Sequence, residues 1–205
     1  MKFLRNQIDL TLALKGAAEL DPQLGDALKV IKRVPLRKRV QGFQTLLQAI
    51  VGQQISVSAA SAIWRRLETD KLTSIRNVAK ATDEKLAACG LSKPKIRYAK
   101  ALASARINYR SLPELSTETV VEKLTEVPGI GRWTAEIYAL FALGHPDAFP
   151  AGDLALQESV RLLYELEARP SEKELREFSG RWQLYRGAVA RLLWEYYSVR
   201  KRPLA

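Results

Sequence analysis

The sequence predicts an all-α protein, and three observations carry that expectation. Apolar residues recur at helical spacing along nearly the whole chain. No segment alternates with period two for long enough to make a strand. Cap residues and proline–glycine breaks cut the chain into pieces of helical length.

Residues 8–20 hold the first periodic run, and Asp21-Pro22 opens a second short helix towards Ile31. Residues 42–53 and 56–68 form a pair broken near Gln53-Gln54, with Ser56 placed to cap the second helix. Short helices are expected at 74–80 and 83–89, then a longer one at 93–107, where Pro94 suits the first turn. Residues 117–126 form a helix that stops at Val127-Pro128-Gly129, and another runs from Arg132 to about Leu143. Helices at 154–166, 171–178 and 182–200 complete the chain. The irregular stretch with chemical interest is Gly144-His145-Pro146-Asp147-Ala148-Phe149-Pro150-Ala151-Gly152-Asp153.

Composition narrows the function classes. Lys plus Arg outnumber Asp plus Glu by 33 to 22, a net charge of +11, which favours a polyanionic partner and nucleic acid first. Cys89 is the only cysteine, so an intrachain disulfide and a four-cysteine zinc or iron–sulfur site are excluded. With a single histidine as well, protein-ligated transition-metal chemistry is not expected. Met1 to Gln7 lacks a signal-peptide apolar run and no stretch reaches membrane-spanning length, so a cytoplasmic protein without membrane partners is expected. Basic clusters at Lys32-Arg33, Arg37-Lys38-Arg39, Lys93-Lys95-Arg97-Lys100 and Arg200-Lys201-Arg202 are candidate phosphate contacts, each equally readable as a solvated face.

Pro128-Gly129-Ile130-Gly131-Arg132-Trp133 joins two helices. Two glycines around one aliphatic residue permit positive φ and close backbone approach to something bulky. The following helix starts at once, so its unpaired N–H groups can face a phosphate. Ile130 can tuck between the helices. Spacing alone fits a plain helix–turn–helix corner equally well. Asp153, just before Leu154, reads as an N-cap, where backbone N–H groups and the helix dipole favour negative charge.

Leu124 through Ala135, with the Pro-Gly-Ile-Gly-Arg-Trp core, resembles the hairpin of the helix-hairpin-helix DNA glycosylases, in particular the 3-methyladenine DNA glycosylase II type. The resemblance extends over Phe43–Ser56, Asp147–Gln157 and Arg181-Trp182, and covers most of residues 30–200. A bare Pro-Gly-Ile-Gly is common to many DNA-binding hairpins. Gly152-Asp153-Leu154 placed 20 positions beyond Trp133 is far more specific.

The resemblance implies a monofunctional glycosylase that flips alkylated purines (3-methyladenine, 7-methylguanine) out of double-stranded DNA and hydrolyses their N-glycosidic bond, starting base-excision repair. Asp153 is then the catalytic carboxylate, steadying the oxocarbenium-like sugar as the base departs. Trp133 stands where bifunctional relatives carry a Schiff-base lysine. Trp133, Tyr185 and Trp182 are the candidate base pocket, with core and pocket equally open for Trp182, whereas Trp64 and Trp194 read as core. Gln53, Gln54 and Ile55 match the wedge that fills the gap left by the flipped base. Gly129, Ile130, Gly131, Arg132 and Thr134 are the expected DNA-backbone contacts. The only cofactor implied is a monovalent cation, Na+ or K+, held by backbone near Thr125, Val127 and Ile130. A monomer is expected, with two helical lobes: 1–35 with 136–205, and a central 36–135 that ends in the hairpin (about 117–143), with the active-site cleft between them. Two rival readings stay open at this level: a non-catalytic hairpin DNA-binding module, and a bifunctional glycosylase/lyase.

Overall fold

The computed structural model describes residues 3–31 and 33–201, so Lys32 and Arg202 of the basic clusters lie outside the described residues. Among the described residues there are twelve α-helices and no strand. In chain order they are α1 (Gln7–Leu20), α2 (Pro22–Val30), α3 (Phe43–Gly52), α4 (Val57–Thr69), α5 (Ile75–Lys80), α6 (Asp83–Ala88), α7 (Lys93–Ser104), α8 (Thr117–Thr125), α9 (Arg132–Tyr138), α10 (Leu154–Leu163), α11 (Glu172–Phe178) and α12 (Arg186–Lys201). The chain divides into two compact units, Met1–Lys38 with Ala139–Ala205, and Arg39–Tyr138.

Most helix starts follow from local chemistry. Ser56, Ser74 and Ser116 each accept a backbone N–H from the first turn of the helix they precede. Asn6 with Asp9, and Ser171 with Glu174, form reciprocal capping boxes. Three stretches depart from the expected pattern. The helix expected at 182–200 begins at Arg186, because Ser179–Trp182 is a 3-10 turn and Leu184 adopts a left-handed φ of 74°. A short 3-10 turn at Leu112–Glu114 lies between the helices expected at 93–107 and 117–126. The helix expected at 132–143 is α-helical only to Tyr138, and Ala139–Leu143 is a π-helical turn.

In the first unit α10 and α12 pack side by side, with Leu156 and Val160 of α10 and Val189, Leu192 and Leu193 of α12 buried. Ser159 Oγ, fully buried, donates to the Leu193 carbonyl at 2.7 Å and fixes the register of the two helices. Gly187 meets the loop after the π turn directly. Its N–H donates to the Pro146 carbonyl at 2.7 Å, and a methyl group there would lie 2.8 Å from the His145 carbonyl. Asp21 caps α2, and its second oxygen accepts from the Tyr164 hydroxyl (2.6 Å) and the Trp182 indole (2.9 Å).

In the second unit Leu46, Leu47 and Ile50 of α3 are buried, and Val51, Ile63, Leu67, Leu72, Leu86, Cys89, Leu91 and Ile96 form one cluster. Burial and the adjacent Asp70 push the Cys89 thiol up, away from the reactive thiolate.

His145 is 2% exposed, packs edge-on to Phe3, and donates its backbone N–H to Ala139 across the π turn. Burial pulls its imidazole down from 6.5 to about 4. The unfolded chain therefore binds this proton more readily than the folded one between those values. The stabilisation is fully present above the unfolded value, falls as pH drops, and is gone below the folded value. Its size is up to about 3 kcal/mol. His145→Leu should remove that part of the pH dependence. Urea unfolding from pH 7 to 4 checks this, and identical slopes in both proteins would contradict it.

Candidate functional site

The irregular loop ends in a pinned carboxylate. Asp153 adopts an extended conformation ahead of α10, and its Oδ1 accepts the backbone N–H groups of Ala155 (3.0 Å) and Leu156 (3.2 Å). The cap expected from sequence is therefore present. A third donor, the Trp194 indole Nε1–H, reaches the same Oδ1 at 3.1 Å. The loop is anchored on both sides of the carboxylate. Gln157, buried one turn into α10, donates its side-chain amide to the Ala151 carbonyl at 2.9 Å, and the Asp153 N–H donates to Pro150. Asp153 itself is half-buried, so a fixed negative group borders solvent.

Trp194 is the residue that the sequence reading assigned to the core. It is half-buried, stacks on Phe141 of the π turn at 5.5 Å between ring centroids, and gives its N–H to Asp153. The one available signal was chemical: a tryptophan set among apolar neighbours must still find an acceptor for its N–H.

Trp182, expected in the base pocket, goes the other way. It is 0% exposed, its indole donates to Asp21, and Phe149, Tyr164 and Phe178 surround it. It has no face to offer a base and belongs to the core. Tyr185 is half-buried, its ring lying over Gly16 of α1, where a methyl group would be 2.7 Å from a ring carbon. Asp147 supports the loop by accepting the Leu184 N–H at 2.8 Å, and burial raises its pKa against the pull of Arg186.

The second unit carries the hairpin. Val127 accepts the Ile130 N–H at 3.0 Å across Pro128-Gly129, and Gly129 has φ +91°, the turn pattern that wants proline and then glycine. The Tyr98 ring packs where a Gly129 side chain would stand. Ile130 is buried as expected, and Gly131 has open space around it. Trp133 is 46% exposed.

Two of the expected backbone-contact residues have side chains engaged within the fold. Thr134 is buried, which removes its hydroxyl from the surface. Arg132 makes a two-pronged bond to Glu118 (2.9 and 2.8 Å) and a third to Glu136 at 3.1 Å, and the Glu118 bond raises its pKa. Its charge is compensated, and Arg132 orders α8 against α9.

The corner between α3 and α4 is held from both sides. Gln53 Nε2 donates to the Gly129 carbonyl of the hairpin at 2.8 Å, and Lys95 Nζ donates to the Val51 carbonyl at 2.7 Å. Gln53 is thus committed to the hairpin and withdrawn from the set of wedge side chains. Gln54, with a left-handed φ of 56°, and Ile55 are exposed, followed by Val57 at 85% exposure. Among the described residues no group of three or more His, Cys, Asp or Glu is placed to hold a metal ion.

The family model described as HhH-GPD superfamily base excision DNA repair protein matches residues 47–183. DNA-3-methyladenine glycosylase 1 of Schizosaccharomyces pombe is 30% identical over 167 residues, spanning 77% of this chain and 73% of that protein. The crystal structure of DNA-3-methyladenine glycosidase from Bacillus halodurans superposes with a TM-score of 0.84 at 32% identity, covering 92% of this chain and 90% of the other. The Schizosaccharomyces pombe 3-methyladenine DNA glycosylase in complex with abasic DNA gives a TM-score of 0.74 at 29% identity, covering 89% and 94%.

Gln53→Met keeps the side chain's length but removes the donor to Gly129, and should cost about 1 kcal/mol in urea unfolding. Gln54→Ser at the exposed corner should change stability by no more than about 0.5 kcal/mol. Equal costs would contradict the different roles of the two glutamines.

Proposed function

The chain belongs to the HhH-GPD superfamily of base excision DNA repair proteins, and from that premise we propose that it is a monofunctional DNA glycosylase acting on alkylated purines in double-stranded DNA. The reaction is hydrolysis of the bond between the base nitrogen and the sugar C1′. The observation that carries the reading is the convergence of three N–H donors on Asp153 Oδ1, which holds a half-buried carboxylate in one orientation.

Purines alkylated on the ring carry positive charge, so the departing base takes the glycosidic electron pair and leaves neutral. No strong general acid is required. Positive charge develops instead on the sugar, and a pre-placed carboxylate stabilises it without reorganising. A water oxygen then bonds to C1′ and gives up its proton, with Asp153 the acceptor at hand. Trp133 carries no amine, so that position cannot form a Schiff base. The product is a free base and an intact abasic site.

The aromatic faces suited to a cationic base are those of Trp194 and Tyr185 in the first unit, with Trp133 a separate candidate in the second. Gln54 or Ile55, exposed at the pinned corner, is the group for filling the space left by the flipped nucleotide. The backbone N–H groups of Gly129 and Gly131 suit a phosphate, that of Ile130 being given to Val127, and the net charge of +11 supports DNA as the partner. A monovalent cation at the hairpin fits the donors present, which are the neutral carbonyl oxygens of Thr125, Val127 and Ile130. Val127 O keeps a second lone pair beyond the one given to Ile130 N–H. Such an ion supplies positive charge next to a bound phosphate. The protein acts as a monomer in this reading.

Asp153→Asn keeps an acceptor for the α10 cap but removes the charge. Its affinity for abasic-site duplex should stay near wild type, while single-turnover excision of 7-methylguanine falls by about 100–1,000-fold. Gel-shift titration and chromatography of the released base measure the two quantities. Wild-type excision by the variant would overturn the role of Asp153.

A further inference from the structure

Arg191 of α12 is 3% exposed, yet each of its hydrogen bonds goes to a backbone carbonyl. Nε donates to Leu36 (3.0 Å), Nη1 to Gly187 (2.7 Å) and Nη2 to Leu140 (2.8 Å). Burial alone lowers its pKa, to about 10, which leaves the guanidinium charged at neutral pH. Packing does not call for this residue, because a methionine or leucine fills the same space without the cost of desolvating a cation.

The location of its partners suggests what the cation does. Leu140 lies in the π-helical turn, where the altered hydrogen-bond ladder leaves a carbonyl that needs a donor, and such turns recur at functional sites. The next residue, Phe141, receives the guanidinium over its ring at 4.9 Å. Phe141 is also the ring on which Trp194 stacks, and Trp194 donates to Asp153. Arg191 and Trp194 are three residues apart on one helix and so lie on neighbouring parts of its surface. The planar guanidinium suits this task, with donors in its plane for the carbonyls and a face for the ring.

We propose that Arg191 is a positioning residue for base excision: it fixes the π turn and the Phe141 ring, and through them holds the Trp194 indole on Asp153. The inference rests on the reading of Asp153 as the catalytic carboxylate.

The test is a double-mutant cycle with two readouts. The first is single-turnover release of 7-methylguanine, beside affinity for abasic duplex. Arg191→Met and Trp194→Phe should each slow release by about tenfold or more with little change in abasic-DNA affinity. The double variant should be no more than about threefold slower than Trp194→Phe alone, because one path has been cut twice. Losses that multiply, or wild-type release by Arg191→Met, would overturn the proposal.

The second readout needs no activity. Hydrogen exchange of the Trp194 indole N–H, identified by its loss in Trp194→Phe, should quicken by about tenfold in Arg191→Met while the other indoles of the four tryptophans are unchanged. An unchanged Trp194 indole would also overturn the proposal. If Arg191→Met does not fold, Phe141→Leu replaces it, since that change leaves the guanidinium its three carbonyls. It should show the same coupling to Trp194 and the same faster exchange, and independence in either readout counts against the proposal. Absence of base release by the wild-type chain defeats the functional reading instead, and the exchange measurement still decides whether Arg191 holds Trp194.

Discussion

The hydrogen bond from the Trp194 indole to Asp153 Oδ1 joins α12 to the cap of α10 at one oxygen atom, between residues 41 apart in sequence. Much of the first unit is arranged so that this contact is met. Ser159 locks α10 to α12 just before Trp194. Gln157 fastens the loop that delivers Asp153. Gly187 lets the start of α12 sit against the loop backbone, and Phe141 gives the indole a surface to stack on. A carboxylate that must stabilise charge as it develops has to be in place beforehand, since reorientation during the reaction would consume the stabilisation it provides.

The second unit shows the same preference for backbone acceptors as anchors. Gln53 donates to Gly129 and Lys95 to Val51, so the corner that bears Gln54 and Ile55 is tied to the hairpin on one side and to the end of α3 on the other. Arg132 is consumed in ordering α8 against α9. Attraction for a polyanion then rests on the overall excess of positive charge, which holds a phosphate backbone without reading sequence. That suits an enzyme whose target is a damaged base in any sequence context.

The helices were largely legible in the sequence because their signals are local. Ser56, Ser116 and Asp153 cap the helices they precede, and proline sits in the first turn of α2 and α7. The π turn was not legible, because five apolar residues read the same in either helical form. What distinguishes it is the backbone N–H of His145 just beyond the turn and the donor from Arg191, which arrives from a helix 51 residues on. The places of two tryptophans were not legible for the same reason. Trp182 and Trp194 both stand among apolar residues, and only the tertiary fold decides that one indole finds Asp21 in the core and the other finds Asp153. Arg132 looked available because Glu118, fourteen residues upstream, is brought to it only by the hairpin.

The central claim is that this chain cleaves the bond to an alkylated base with water and leaves the sugar–phosphate strand intact. It is tested most directly by incubating the wild-type chain with a duplex bearing a single 7-methylguanine, then separating both the free base and the strand before and after alkali. A monofunctional glycosylase releases the methylated base, leaves the strand unbroken before alkali and gives cleavage at the abasic site after it. Strand scission without alkali, or a covalent protein–DNA adduct trapped by borohydride, would contradict it.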